Sequence, residues 1–255
     1  MNLIFDKKLG EKYNSNSQKI RVISEIWTEK NIFCPNCGSD IKNLENNKKV
    51  SDFICVKCLE NYEQKASQKK FKGKVVSSEY KTIVSRLLSK DKPHFFFLHY
   101  LINNYSVNDF FVIPKYFFVP EIIEKRKALS SSAKRAGWVG SYILFSKIPD
   151  SGKIYYVENG KKCSKKEILT EWQKTEFLKK IKKNDAKGWI LDIMNCIDLL
   201  NKSDFTLQDI YFFEKDLQVI HPENKHIKDK IRQQLQFLRD KNYLTFKGKG
   251  NYKLN

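Results

Sequence analysis

Cys34-Pro-Asn-Cys37 and Cys55-Val-Lys-Cys58 are two CxxC pairs with 17 residues between them, and no other feature narrows what this chain can fold into as far. Each CxxC turn delivers two sulfurs to one side of a point, so two such turns can surround a Zn²⁺ ion with four thiolates at Cys34, Cys37, Cys55 and Cys58. Two disulfides or a thioredoxin-like redox pair are the competing assignments, and the paired spacing favours zinc. Four cysteine ligands leave no open coordination position, so this metal is expected to hold structure and not to do chemistry. Cys163 and Cys196 stand alone. Cys196 falls on the apolar side of a helical pattern, where a buried, inert thiol is expected.

The flanks of the two pairs have their own periodicities. Residues 17–31 carry Ile20, Ile23, Ile26 and Trp27 at near-helical spacing. A polar Asn/Lys loop over residues 43–49 follows the first pair, and residues 50–54 are short, β-branched and aromatic, as a strand requires. The second pair would then form the turn that leads to a returning strand bearing Glu63-Gln64-Lys65. Residues 79–88 place Tyr80, Ile83, Val84, Leu87 and Leu88 on one helical stripe, as in a crossover helix on a sheet. Residues 95–100 and 109–113 are dense apolar runs typical of strands buried on both faces, the second closed by Pro114. Residues 153–158 form another strand candidate ended by Asn159-Gly160, and residues 165–181 read as a helix.

A polar, aperiodic stretch over residues 182–188 places a domain boundary there, giving domains over 1–183 and 184–255. Beyond it, Trp189, Ile193, Ile197 and Leu200 mark one amphipathic helix; Ile210, Phe213, Leu217 and Ile220 a second; Ile227, Ile231, Leu235 and Leu238 a third. Thr206 with Asp209 resembles a capping box at the start of the second helix. Tyr243 to Phe246, a turn at Lys247-Gly-Lys-Gly250, and Tyr252 to Leu254 then make a hairpin pattern. Three helices and a terminal β-hairpin in about 70 residues are the layout of a winged helix.

With 255 residues and 41% hydrophobic content the chain can build real cores. It has no run of about 18 apolar residues and no signal-peptide core at its N-terminus, so a soluble, cytoplasmic protein without membrane contact is expected. The net charge of +19, from 48 Lys+Arg against 29 Asp+Glu, exceeds what solubility needs and points to a polyanionic partner. An AT-rich genome would also inflate lysine, but it would not sort charge. Residues 185–223 hold 3 basic and 8 acidic side chains, whereas residues 225–253 hold 9 and 2. Such segregation marks a binding surface.

Asp52 and the triplet Glu63-Gln64-Lys65 supply the chemistry that cutting a phosphodiester needs: carboxylates for a divalent cation, and a cation for the charge of the transition state. On a strand, Glu63 and Lys65 share a face and Gln64 takes the other. Asp52 on the neighbouring strand can converge with Glu63 on one Mg²⁺, for which hard oxygen ligands are suited, and Gln64 can add its backbone carbonyl. Lys65 can steer or activate water and offset phosphate charge. Such a triplet also arises by chance in a chain that is 30% charged. Its place beside the second CxxC pair gives it weight, because the zinc would staple the hairpin that carries both carboxylates.

Together these residues resemble the family of methylation-dependent restriction endonucleases related to DpnI, within the PD-(D/E)xK nuclease superfamily. The resemblance runs the length of the chain through Asn14-Ser-Asn-Ser-Gln-Lys19, Cys34-Pro-Asn-Cys37-Gly38, Leu44-Glu-Asn-Asn47, Ser51-Asp-Phe53, Arg135-Ala-Gly-Trp138 and Ile227-Lys-Asp-Lys-Ile-Arg-Gln-Gln-Leu-Gln236. It implies an α/β nuclease core, a mixed central sheet flanked by helices with a four-cysteine zinc site, followed by a winged helix. It further implies cleavage of double-stranded DNA at GATC sites carrying N6-methyladenine, with Mg²⁺ for catalysis and Zn²⁺ for structure, in a bacterial type II enzyme expected to act as a monomer. Asp52, Glu63 and Lys65 match the family's catalytic positions. Ser51 stands where the superfamily motif has proline. The length is close to the family's, so no appended domain is expected.

DNA-reading candidates follow. Lys225, Lys228, Arg232, Gln236 and Arg239 run along one flank of the third C-terminal helix. Arg232, Gln233 and Gln236 have the chemistry to read base edges, while Lys225, Lys228 and the wing lysines Lys247 and Lys249 suit phosphates. A methyl on adenine N6 rewards only an apolar or aromatic contact. Trp138, with Lys134 and Arg135 anchoring its glycine-flanked loop, is the candidate; a core tryptophan beside Tyr142 is the plain alternative. His94, His99, His221 and His226 form no ligand pair and are expected to be structural. Two other functions stay open: a non-catalytic zinc-containing reader of methylated DNA, and a zinc-ribbon RNA-processing factor.

Overall fold

The computed structural model describes residues 1–44, 51–89 and 91–255, which divide into two compact units. The first comprises residues 1–146 and 151–176, the second residues 147–150 and 177–255.

In the first unit, helix α1 (Asn16–Asn31) leads to strand β1 (Ile41–Asn43), β2 (Phe53–Cys55), β3 (Asn61–Ser67), β4 (Lys74–Glu79) and helix α2 (Tyr80–Leu88). Strands β5 (His94–Leu101), β6 (Ser106–Ile113), β7 (Ile123–Ala128), β8 (Val139–Leu144), β9 (Ile154–Glu158) and β10 (Lys161–Lys162) follow, and α3 (Lys165–Thr175) completes the unit. The main sheet has the order β1-β2-β3-β5-β6-β9-β10. Among the described residues of this sheet, β3 and β5 pair in parallel and every other neighbouring pair is antiparallel. A parallel neighbour needs a long crossover, and residues 68–93, with β4 and α2, supply it.

The run Phe95-Phe96-Phe97 shows why β5 is apolar without alternation. Phe96 stacks on Tyr62 of β3 (centroids 4.6 Å apart) on the face covered by α1 and α3. Phe95 and Phe97 point the other way, to Phe118 (4.5 Å) and Phe145 (4.8 Å). All three are buried, and each such ring contributes about 1.5–3 kcal/mol of burial free energy. Strands β4, β8 and β7 form a separate three-stranded antiparallel sheet that hydropathy does not reveal, since β4 has only half-buried residues alternating with exposed ones.

Some boundaries differ from the sequence expectation. The strand expected over residues 50–54 is β2, beginning at Phe53, so Asp52 lies just before it; Val50 and most of the polar loop over 43–49 lie outside the described residues. The helix expected over 165–181 ends at Thr175 and tightens into a 3₁₀ turn over Glu176–Lys180.

The second unit contains α4 (Asn184–Leu199), β11 (Asp204–Thr206), α5 (Leu207–Tyr211), α6 (Glu214–Ile220), α7 (Ile227–Asp240), β12 (Leu244–Gly248) and β13 (Asn251–Leu254). Thr206 and Asp209 make a full capping box, and their mutual bonds hold the Asp209 carboxyl down at about 2. The single helix expected from Ile210 to Ile220 is two short helices. Phe213 leaves helical geometry at φ −85°, ψ 6°, and Glu214 and Asp216 supply acidic side chains suited to a new helix start. Both anchors, Ile210 and Leu217, remain buried. The terminal hairpin is a three-stranded sheet, because β11 pairs with β13.

Candidate active site and metal centre

The two CxxC turns are built alike. In the first, the Gly38 N–H donates to the Cys34 carbonyl (2.8 Å); in the second, the Leu59 N–H donates to that of Cys55 (3.2 Å). Both turning residues have left-handed backbone, φ +73° at Gly38 and +60° at Leu59. The four Sγ atoms lie within 4.8 Å of one another, with Cys34 to Cys58 at 3.5 Å and Cys37 to Cys55 at 3.4 Å. A Zn²⁺ tetrahedron with bonds near 2.3 Å has sulfur–sulfur edges of about 3.8 Å, so this cluster can hold that ion. Tyr62 Oη is 3.1 Å from Cys34 Sγ, and the Lys57 and Cys58 N–H groups donate to Cys55 Sγ at 3.4 Å. These donors are the outer shell that steadies thiolate ligands. Burial pushes the Cys34 thiol up, whereas at Cys37 bonds from Ser39 outweigh burial and bring it down to about 6.

The second turn connects β2 to β3, and pairing between these strands is short: Phe53 opposite Tyr62 and Ile54 opposite Asn61. Beyond it the edge of β3 is held by Asp52. Its N–H donates to the Tyr62 carbonyl (2.9 Å), and its Oδ2 accepts the Gln64 N–H (2.7 Å). N–H and C=O of one strand residue share a side, so the Gln64 carbonyl faces the same edge. Burial, with the nearby charges of Glu63 and Glu25, raises the Asp52 carboxyl despite the Gln64 bond and Arg21.

Side chains on β3 alternate. Gln64 turns to α1, accepting from Thr28 Oγ1 (2.6 Å) and donating to Ser24 Oγ (3.1 Å), both fully buried. Glu63 and Lys65 take the other face. Glu63 Oε1 accepts from Lys65 Nζ at 3.1 Å and Oε2 from Arg86 Nη1 of α2 at 2.5 Å. Lys65 Nζ also stands 5.8 Å from the Phe95 ring centroid. A cleft of about 900 Å³ opens here, its wall including Arg21, Glu25, Asp52, Glu63, Gln64 and Arg86. Two carboxylates and a strand carbonyl at one cleft form a hard-oxygen donor set that fits a small divalent cation. Sequence reasoning gives Arg86 no role; the one signal for it is a lone arginine on the crossover helix, six residues after Tyr80.

At the network below the zinc turn, Glu60 Oε2 takes His94 Nε2 (3.1 Å) and Lys115 Nζ (2.6 Å). Burial raises this carboxyl, but those two partners outweigh it and leave it far below the ordinary glutamate value. His99 pairs with buried Asp109 at 2.7 Å, and His221 with Asp192 at 2.8 Å.

Trp138 is neither a core residue nor free-standing. It is half-buried just ahead of β8, with Arg135 over its ring at 4.6 Å and its outer edge on Gly140. Tyr142 stacks with Arg126 instead. Lys134 and Arg135 are exposed at the tip of the β7–β8 hairpin. In the second unit, Lys225 precedes α7. Lys228 pairs with Glu214 (3.4 Å), and Arg232 is bonded to Tyr211 Oη (2.6 Å) and to Asp229. Gln233 accepts from Lys230, Gln236 is exposed, Lys247 pairs with Asp204 (2.8 Å), and Lys249 sits at the hairpin turn with φ +47°. Several expected DNA contacts are thus held by acidic neighbours.

Among the described residues no helix is long and apolar enough to cross a membrane. Comparison with protein families matches residues 1–181 to the DpnI model, described as the Dam-replacing family, and residues 185–254 to DpnI_C, the Dam-replacing HTH domain.

Proposed function

Because the chain belongs to the Dam-replacing DpnI family and carries that family's helix-turn-helix domain, we propose that it is a methylation-dependent type II restriction endonuclease of PD-(D/E)xK type. It would cleave double-stranded DNA at GATC sites bearing N6-methyladenine. The observation that carries this is the joint presence of Asp52, Glu63 and Gln64 on one cleft, one turn of chain from the four cysteines.

Asp52, Glu63 and the Gln64 carbonyl would hold a Mg²⁺ ion, which when bound supplies charge stabilisation and a more acidic water. Asp52 is oriented for this by its bond to the Gln64 N–H, and Gln64 by Ser24 and Thr28. Lys65, held against Glu63, would steer the water and offset phosphate charge. The zinc turn fixes β2 against β3 and so fixes Asp52 across from Glu63. Trp138, with one face on Arg135 and an edge on Gly140, presents apolar surface suited to a methyl group. Lys134 and Arg135 suit phosphates beside it. In the second unit, a winged helix, Arg232, Gln233 and Gln236 would read base edges while Lys225, Lys228, Lys247 and Lys249 bind phosphates. One chain carries both reading surfaces and acts as a monomer.

Digestion of unmethylated, hemimethylated and fully methylated plasmid in Mg²⁺, with Asp52→Ala alongside, tests this. Cutting of methylated plasmid only, abolished by Asp52→Ala, is expected. Binding without any cutting would leave a non-catalytic reader in its place.

A further inference from the structure

We propose that Arg86 is a further catalytic residue of the cleft, a guanidinium that neutralises Glu63 before a divalent cation is bound and turns to the scissile phosphate afterwards. This rests on the nuclease function proposed above.

Glu63 has two carboxylate oxygens, and both are engaged: Oε1 by Lys65 and Oε2 by Arg86. A carboxylate that is to ligate a cation must release one of them. Lys65 is on the same strand, two residues on, with its ammonium near the Phe95 ring. Arg86 is on a different element, in the last turn of α2, and forms part of the cleft wall together with Asp52 and Gln64. It is the partner placed to swing into the cleft.

Charge balance gives the direction. Asp52 and Glu63 against Lys65 and Arg86 sum to neutral. Adding a dication while Arg86 stays on Glu63 would crowd three cationic groups around one carboxylate. An incoming phosphate offers Arg86 a replacement anion, and a planar fork of donors matches phosphate oxygens better than an ammonium does. Guanidinium released from Glu63 would thus meet the charge that builds on the non-bridging oxygens as the bond breaks. Helix α2 keeps its seat without this contact, since Ile83 and Leu87 bury its apolar stripe independently of the guanidinium.

The test compares wild type, Arg86→Ala and Arg86→Lys in three measurements. These are single-turnover cleavage of a fully methylated duplex in Mg²⁺, binding of Ca²⁺ alone to the DNA-free protein by calorimetry, and the rate ratio between oxygen and each phosphorothioate diastereomer at the scissile position. Arg86→Ala should cleave roughly 10²- to 10³-fold more slowly. The same variant should bind Ca²⁺ roughly three- to tenfold more tightly, because a competing cation has left Glu63. It should also lose sensitivity to one diastereomer. Arg86→Lys should regain part of the rate. Wild-type cleavage by Arg86→Ala would overturn the assignment, and so would Ca²⁺ affinity that falls with the rate, which would make Arg86 only a prop for Glu63. A wild type that cuts, with Asp52→Ala inactive, keeps either result separate from the nuclease function itself; a wild type that never cuts overturns both.

Discussion

Replacing Tyr62 by phenylalanine isolates one hydrogen bond at the zinc site. The ring is fully buried and stacked on Phe96 at 4.6 Å and 10°, and phenylalanine keeps that packing. What goes is the hydroxyl 3.1 Å from Cys34 Sγ. With zinc bound, Cys34 is a thiolate and the hydroxyl donates to charge, a bond that contributes about 1.5–3 kcal/mol. Without zinc, burial holds Cys34 as a neutral thiol, and a neutral bond contributes about 0.5–1.5 kcal/mol. The difference, about 1–2 kcal/mol, must appear in metal affinity, roughly a 5- to 30-fold weakening. That falls within or near the 10- to 100-fold usual for outer-shell partners of metal ligands. Competition against a chromophoric zinc chelator measures the affinity, and urea unfolding with and without zinc measures stability. Unchanged zinc affinity, with equal stability losses in both states, would refute the role given to the hydroxyl. The competition titration stands alone if the zinc-free protein does not fold.

Leu59→Gly should stabilise the protein by about 0.5–1 kcal/mol in thermal unfolding, since a left-handed leucine costs about 1–2 kcal/mol and glycine gives part of that back through the unfolded chain; a loss of stability would mean the exposed side chain makes a contact that matters. Glu60→Gln should destabilise near neutral pH. The folded Glu60 pKa is depressed, so its contribution is complete above the ordinary value of 4.5 and shrinks progressively as pH falls from there toward the folded value; the gap between wild type and variant should therefore narrow steadily below pH 4.5, and a gap that stayed constant or widened over that range would contradict the linkage. Gly140→Ala places a methyl 2.8 Å from Trp138 Cζ3 and should push the indole aside at about 1–3 kcal/mol. Its discrimination between methylated and unmethylated duplex should fall more than its general DNA affinity, and equal losses on both would remove Trp138 from methyl reading.

Local chemistry was legible in the sequence and long-range partnership was not. The CxxC turns, the β3 alternation and the Asn159-Gly160 turn depend on neighbours in sequence, and the structure places them as spacing suggests. Phe95 to Phe97 announced a strand buried on both faces because no solvent side exists to alternate with. Strands β4 and β8 were missed because Lys74 to Glu79 are polar enough for a loop and Gly140 interrupts the second. The break at Phe213 was hidden because Ile210 and Leu217 sit seven residues apart, a spacing that one continuous helix would share. At the cleft, the triplet named Glu63 and Lys65, yet nothing local said that the crossover would return Arg86 to the same carboxylate or that Gln64 would be locked by Ser24 and Thr28.

Zinc content and Mg²⁺-dependent cleavage, followed on one sample through chelation and zinc repletion, bear most directly on the claim that four thiolates keep Asp52 across from Glu63. One zinc per chain, cleavage lost with the zinc and regained when it is returned, is the expected result. A zinc-free protein that still cut methylated DNA at the full rate in Mg²⁺ would contradict it.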